Sequence, residues 1–231
     1  MKVDRRKKYM TVLDTETTNG FIENGKLNLN FSLVYDLGYQ ITDKMGNVYI
    51  KRNFAIKEII LDKKLMSSAY YAEKLPQYWE EIKNGERELV SFFTARKIFF
   101  EDCKKYNVDT VAAHNAGFDL RALNNTARLL SGSRCRYFFK RDTVLWDTLK
   151  MSNDIFSNLK GYKNFCESNN YMTKHKKPRC RMTAEILYRY LSGDNDFIEA
   201  HTGLKDVEIE SQILVYCLRS HKKMRKLLFE K

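Results

Sequence analysis

The sequence predicts an α/β fold whose mixed sheet is antiparallel in its first three strands, parallel in its later ones, and flanked by helices. Two patterns carry that prediction. Near the N-terminus three strand-like apolar segments follow one another, the last two joined through Asp43-Lys44-Met45-Gly46-Asn47, which is hairpin chemistry. Further along, a short apolar strand, a helix and another strand succeed one another, an order that implies parallel pairing through a helical crossover.

The elements follow in order. Tyr9 to Leu13, Phe31 to Ile41 and Val48 to Phe54 read as strands and form an opening meander. Between the first two, Thr17-Thr18-Asn19-Gly20 leads into a polar loop, ENGKLNLN. Leu89, Phe92, Phe93, Phe99, Phe100 and Cys103 recur at helical spacing, so Glu86 to Tyr106 is predicted as an amphipathic helix with its aromatic stripe in the core. Thr110 to Ala113 is a short strand, followed by a helix carrying Leu120, Leu123, Ala127 and Leu130, then by a strand at Thr143 to Trp146. A helix spans Met182 to Leu191, and a last one runs from near Leu204 to about Ser220. No internal repeat or low-complexity segment is present.

At 231 residues with only Pro76 and Pro178, the chain reads as one domain over 1–231, with no proline-rich linker. Its 43% apolar and 13% aromatic content argues for a folded globule despite 30% charged residues. The formal charge of +12 points to a polyanionic partner such as nucleic acid. Much of the excess lies in MKVDRRKK, in Lys174-His175-Lys176-Lys177-Pro178-Arg179-Cys180-Arg181, and in the tail Arg219 to Lys226. Each run can track phosphates without reading sequence, and each equally fits a solvated face. Five cysteines, Cys103, Cys135, Cys166, Cys180 and Cys217, lack any C-x-x-C pair, which favours free thiols and a cytoplasmic setting over disulfides or zinc. No apolar stretch is long enough to span a bilayer, so no membrane partner is expected.

Four carboxylates stand in apolar surroundings: Asp14 and Glu16, Asp119, and Asp206. Clustered buried carboxylates repel one another and lose hydration, so together they call for a hard cation such as Mg²⁺ or Mn²⁺. Asp14 and Glu16 share one face if their strand persists through them. Taken alone, D-x-E fits an acidic strand end better than a ligand pair. Asp119 and Asp206 each fall in the first turn of a helix, where the dipole already favours an anion. His201, five residues before Asp206, is the side chain suited to accept a proton near neutral pH. His175 and His221 sit in basic runs and read as surface residues, and His114 reads as part of a pocket wall.

In combination these segments resemble a known family. TVLDTETTNGF resembles the first motif of the DEDD exonucleases, VAAHNAGFDL the second, and HTGLKDVE the third in its H-x-x-x-x-D form. DLGYQITD resembles the family's second strand, and TVLWDTLKM the strand and D-T that precede its later helices. The order and separations match over about residues 9 to 220. On these motifs the chain is similar to the DEDDh, or DnaQ-like, 3′-to-5′ exonucleases of the proofreading type, with a ribonuclease-H-like fold. Positions 202 to 205 are Thr-Gly-Leu-Lys, without the tyrosine the sister branch requires. The chain departs from the family's minimal form in a basic inserted segment at about 160–200, and in the polar loop after the first motif.

The resemblance implies that Asp14, Glu16 and Asp206 ligate one Mg²⁺ or Mn²⁺, with Asp14 bridging to a second and Asp119 acting on that second ion partly through water. Two such ions stand roughly 3.5 to 4 Å apart in two-metal sites. His201 would remove the proton of the attacking water, its place on a loop giving it mobility. Thr15, Thr17, His114, Asn115 and Phe118 are the candidates for holding the terminal nucleotide. The expected reaction releases nucleoside 5′-monophosphates from single-stranded or frayed DNA, with RNA as the alternative substrate. A DNA polymerase partner, or a nucleic-acid-binding module without turnover, are the rival readings.

Overall fold

The computed structural model describes residues 3–18, 21–23, 26–28, 31–67, 69 and 71–229. Strand β1 (Tyr9–Thr17) is followed by a small ribbon, β2 (Phe21–Glu23) and β3 (Lys26–Asn28), then by β4 (Val34–Asp43) and β5 (Val48–Ile56). Short helices α1 (Lys57–Ile60) and α2 (Lys63–Met66) and the longer α3 (Leu75–Asn84) lead to β6 (Glu88–Val90) and α4 (Phe92–Tyr106). Then come β7 (Thr110–Ala113), α5 (Ala116–Leu130), β8 (Val144–Asp147), α6 (Thr148–Phe156), α7 (Lys160–Ser168), α8 (Ala184–Ser192) and α9 (Gly203–Arg219).

Six strands form one sheet in the order β6-β5-β4-β1-β7-β8. The meander β1, β4, β5 is antiparallel, while β7 runs parallel to β1 and β8 parallel to β7. This is the ribonuclease-H-like mixed sheet expected from the sequence. Alternation along β1 divides the core: Leu13 packs with Phe92, Phe99 and Phe138 on one face, and Val12 with residues of α6 to α9 on the other. Both faces are covered, which is why β4 is buried along its whole length.

Three expectations are corrected. The predicted helix over Glu86 to Tyr106 begins only at Phe92, where Ser91 Oγ accepts the Thr94 N–H at 3.1 Å and caps it. Residues 88–90 instead pair in parallel with the edge of β5. Leu89 and Phe93, assigned to the core stripe, are 36% and 37% exposed: Leu89 because a sheet edge took the first residues of a run whose apolar spacing also suits a helix, and Phe93 because it lies on the outer side of the helix that starts at Phe92. The polar segment at 23–30 is partly strand, as β2 and β3 pair through Phe21↔Asn28, Ile22↔Leu27 and Glu23↔Lys26. Residues 19, 20, 24, 25, 29 and 30 of that reading lie outside the described residues.

The basic C-terminal run has a structural use. Lys226 O accepts the Asp147 N–H at 2.8 Å and Leu145 O accepts the Leu228 N–H at 2.9 Å, so the tail caps the open edge of β8. Arg225 holds Asp154 through two nitrogens at 2.7 and 3.0 Å, and Lys226 Nζ lies 5.2 Å above Trp146. All five cysteines are free thiols. Among the described residues no helix is long and apolar enough to cross a membrane.

Candidate active site

Strand β1 continues to Thr17, so Asp14 and Glu16 do project from one face, opposite Gly38 and Asp36 of β4. Helix α9 crosses this face in backbone contact. A β-carbon on Gly38 would stand 2.2 Å from the Gly203 carbonyl carbon, and one on Gly203 would stand 2.7 Å from Gly38 N. Buried Asp36 fixes the helix start, its Oδ2 accepting the Gly203 N–H at 2.9 Å. Asp36 is itself held by a buried ion pair with Arg87 and by the Tyr78 hydroxyl at 2.6 Å. The first turn of α9 therefore sets Asp206 beside Glu16, and ligand atoms of Glu16, Asp206 and His201 all lie within 4.8 Å of one another.

Asp119 arrives from the other side of β1. Because β7 runs parallel to β1, the carboxyl ends of both strands open on the same edge, and α5 starts there. Asn115 makes the turn in the left-handed region, with φ of 68°, and its N–H donates to Asp147 Oδ1 at 3.1 Å. Asp147 also caps α6 through the Leu149 N–H at 3.0 Å. Asp119 lies in the first turn of α5, where the Thr15 hydroxyl donates to its Oδ1 at 2.8 Å.

This concentration of carboxylates is unfavourable for the protein alone. Burial first, and then Glu210, Asp119, Glu16 and Asp206, push Asp14 well above the ordinary carboxylate range. Burial with Asp36 and Asp206 raises Glu16 to about 9, and burial with Glu199 and Asp36 raises Asp206 to about 8. Asp119 is pushed up to about 7, mainly by burial, against the opposing Thr15 hydrogen bond. Asp206 Oδ1 is buried without a hydrogen-bond partner. An orphaned carboxylate oxygen among further oxygen donors fits a hard divalent cation.

His201 is held more firmly than a loop position implies. Its backbone is left-handed, with φ of 48°, and its ring stacks on Tyr71 with centroids 4.5 Å apart and planes 11° from parallel. Lys74 Nζ, 4.7 Å from the Tyr71 ring centroid, donates to the carbonyl oxygens of Ala200 and His201. Nδ1 of His201 is 3.8 Å from Glu199 Oε2. Burial, followed by the Lys74 charge, holds the imidazole below its ordinary range.

Thr15 and Thr17 are buried on β1, Asn115 is exposed, and Phe118 is half-buried on α5. His114 has both ring nitrogens engaged by protein: Nε2–H donates to Met182 O at 2.7 Å and Nδ1 accepts from the Thr148 hydroxyl at 3.0 Å. Burial lowers its basicity, in keeping with this neutral tautomer. His114 and Asn115 line a cavity of about 1140 Å³.

Sequence reasoning missed Asp36, Glu210, Tyr71, Lys74 and Glu199. Glu210 had a signal: it lies four residues after Asp206 on α9, hence on the same helix face. Buried there, it accepts the His114 N–H at 3.2 Å. Tyr71 and Lys74 had none, since only the fold brings them to His201.

No protein-family model and no curated protein matches the chain by sequence. Solved structures do match by shape. A 3′-exonuclease that recognises the 3′ end of the histone mRNA stem-loop superposes with a TM-score of 0.63 at 13% identity, over 95% of this chain and 66% of its own. Exonuclease I of E. coli, in complex with a dT13 oligonucleotide, gives 0.56 at 13% identity, over 93% of this chain and 41% of its own. The fold is that of these exonucleases. The chain spans under two thirds of the length of each, so the likeness at this identity speaks for the fold.

Proposed function

We propose that this protein is a divalent-cation-dependent 3′-to-5′ exonuclease that hydrolyses the terminal phosphodiester of single-stranded or frayed DNA and releases nucleoside 5′-monophosphates. One observation carries this reading: Glu16 and Asp206 converge beside His201, with a buried Asp206 oxygen left unpartnered, on a fold shared with 3′-exonucleases. The residues that would hold Mg²⁺ or Mn²⁺ are Asp14, Glu16, Asp119 and Asp206, as two ions per site. Bound there, such ions supply charge neutralisation at the phosphate and acidify the attacking water.

The chain's own residues do the rest. His201 accepts the proton of the attacking water. Glu199 beside Nδ1 favours the tautomer with hydrogen on that nitrogen, leaving Nε2 as the base. Its lowered basicity keeps the ring neutral, and so able to accept a proton, at neutral pH. Tyr71 holds the plane of the ring, and Lys74 ties down the backbone that carries it. The Thr15 hydroxyl orients Asp119, while Thr17, His114, Asn115 and Phe118 shape the wall that receives the terminal nucleotide. A second reading, an exoribonuclease, is favoured by the likeness to the histone mRNA 3′-exonuclease, the higher of the two TM-scores.

The test uses 5′-labelled single-stranded DNA and RNA of equal length with Mg²⁺ or Mn²⁺, with and without chelator, beside Asp206→Ala and His201→Ala. A 3′-shortened ladder that needs the cation and both residues is expected. Intact substrate with the unmodified protein in both metals overturns the reading, and ladders from RNA alone select the second one.

A further inference from the structure

The inserted segment carries a feature that the acidic site does not use. Residues 171–181 close into a hairpin: Thr173 N–H donates to Arg179 O at 2.8 Å, Arg181 N–H to Tyr171 O at 2.9 Å, and Arg179 N–H to Thr173 Oγ1 at 3.0 Å. Residues 174–179 are exposed at its tip. Its root is tied to the floor of the site, as Arg181 O accepts from the Tyr162 hydroxyl and Met182 O from His114 Nε2. His114 directly precedes Asn115, the turn that launches the Asp119 helix.

One cavity lies between the hairpin and Glu199 and Glu210, the two acids that neighbour Asp206 and Asp14. Its wall carries Lys176, Lys177, Arg179 and Arg181 from the hairpin, with Glu199 and Glu210 from the carboxylate side. Among the described residues none of these four cations forms an ion pair, whereas Arg52, Arg87, Arg189 and Arg225 all do. Four unneutralised cations within six residues repel one another, and a polyanion relieves that repulsion. The carboxylates alone would repel a phosphate chain, so an attractive element at the far end of the cavity gives the strand a reason to enter.

We propose that hairpin 171–181 is a phosphate clamp. It holds the backbone of the substrate strand upstream of its 3′ terminus, through sequence-independent contacts to phosphodiester oxygens. The direction of the strand rests on the exonuclease reading; the binding itself does not. The site then prefers oligonucleotides over substrates too short to reach the hairpin.

The experiment compares the full-length protein with a triple variant, Lys176→Gln, Lys177→Gln and Arg179→Gln. A charge control carries Lys97→Gln, Lys104→Gln and Lys105→Gln on α4. Anisotropy of 5′-labelled DNA and RNA oligonucleotides is read in chelator over a salt series. Loss of three single-strand phosphate contacts makes the slope of log K against log salt shallower by about 2, and weakens binding roughly 10- to 100-fold at low salt. With Mg²⁺, KM for the oligonucleotide rises by the same factor at unchanged kcat. Hydrolysis of the p-nitrophenyl ester of thymidine 5′-monophosphate, which cannot reach the hairpin, stays the same. An unchanged slope in the triple variant, or an equal change in the charge control, overturns the clamp. If the unmodified protein hydrolyses neither substrate, the exonuclease reading falls, and the binding series still decides the clamp.

Discussion

Gly38 and Gly203 meet backbone to backbone, so closely that a β-carbon on the first would stand 2.2 Å from the carbonyl carbon of the second. The contact lets α9 lie on the sheet where β4 pairs with Asp14 and Glu16, and it sets how deeply Asp206 reaches. Gly38→Ala forces helix and strand apart. We expect a loss of about 1–3 kcal/mol from overpacking, read as a fall of roughly 2–10 °C in Tm. Nuclease activity should fall further than stability does. A variant with unchanged Tm and activity would remove this contact from the account of the site.

The ion pair behind the site gives a second prediction. Arg87 and Asp36 are both buried, and Asp36 also receives the Tyr78 hydroxyl and the Gly203 N–H. Arg87→Ala leaves a carboxylate in the core without its counter-charge and should cost about 3–5 kcal/mol. Tyr78→Phe removes one hydrogen bond to that carboxylate, at about 1.5–3 kcal/mol. Denaturant unfolding measures both, and the order Arg87→Ala worse than Tyr78→Phe is the outcome to check.

The raised carboxylates link stability to pH and to cations. Unfolded, these groups titrate near 4, while in the folded protein burial and neighbouring carboxylates push Glu16, Asp206 and Asp119 up to about 9, 8 and 7. Between those limits the folded protein binds more protons than the unfolded chain, so stability falls as pH rises. In chelator, Tm should decline from about pH 5 to pH 9. On the proposed assignment Mg²⁺ or Mn²⁺ would bind the deprotonated set, so its stabilising effect should grow with pH, to about 5–10 °C when the ion is at a hundred times its Kd. A Tm increment from the ion that is largest at pH 5 would contradict the assignment.

Base and ligand can be told apart. His201→Asn should lower kcat about 10²- to 10⁴-fold and keep most of the cation-induced rise in Tm. Asp206→Asn should lose both, and in chelator at pH 8 it should be more stable than the unmodified protein, because one buried charge is gone. Equal loss of the cation effect in the two variants would make His201 a ligand.

The Tyr71 stack provides a positioning test. Tyr71→Leu leaves the imidazole in place but frees its plane, and roughly a 10- to 100-fold loss in kcat with little change in KM is expected from misorientation. Tyr71→Phe, which keeps the stacking face, should restore the rate. Failure of Phe to rescue would assign the effect to the hydroxyl instead.

Local pattern sufficed for the meander, the strand-helix-strand unit and the last helix, since each is written in side-chain periodicity within one segment. It was less informative at Leu89, where three residues read as the start of a helix but serve as a sheet edge. It was also less informative for the tail, where Arg225 and Lys226 look like free charge but hold Asp154 and Trp146. The acidic positions were visible because carboxylates are conspicuous in apolar runs. Their company was not: Asp36, Tyr71 and Lys74 lie far along the chain from the groups they steady.

Residue order therefore settles the fold class and singles out Asp14, Glu16, Asp119 and Asp206 as candidates, with one histidine spaced five residues before the last of them. Alternation and helical spacing are short-range properties, fixed by which side chains stand two, three or four positions apart. Folding supplies the rest. The antiparallel register sets Asp14 opposite Gly38 and Glu16 opposite Asp36, and the absence of side chains at Gly38 and Gly203 lets α9 close on them. Glu16 and Asp206, separate along the chain, then stand side by side, with Asp14 close enough to Asp119 and to both of them to feel their charge. Only there do burial and mutual repulsion raise their proton affinity and make a cluster that could hold a cation, because such electrostatics depend on distance through space and on exclusion of water.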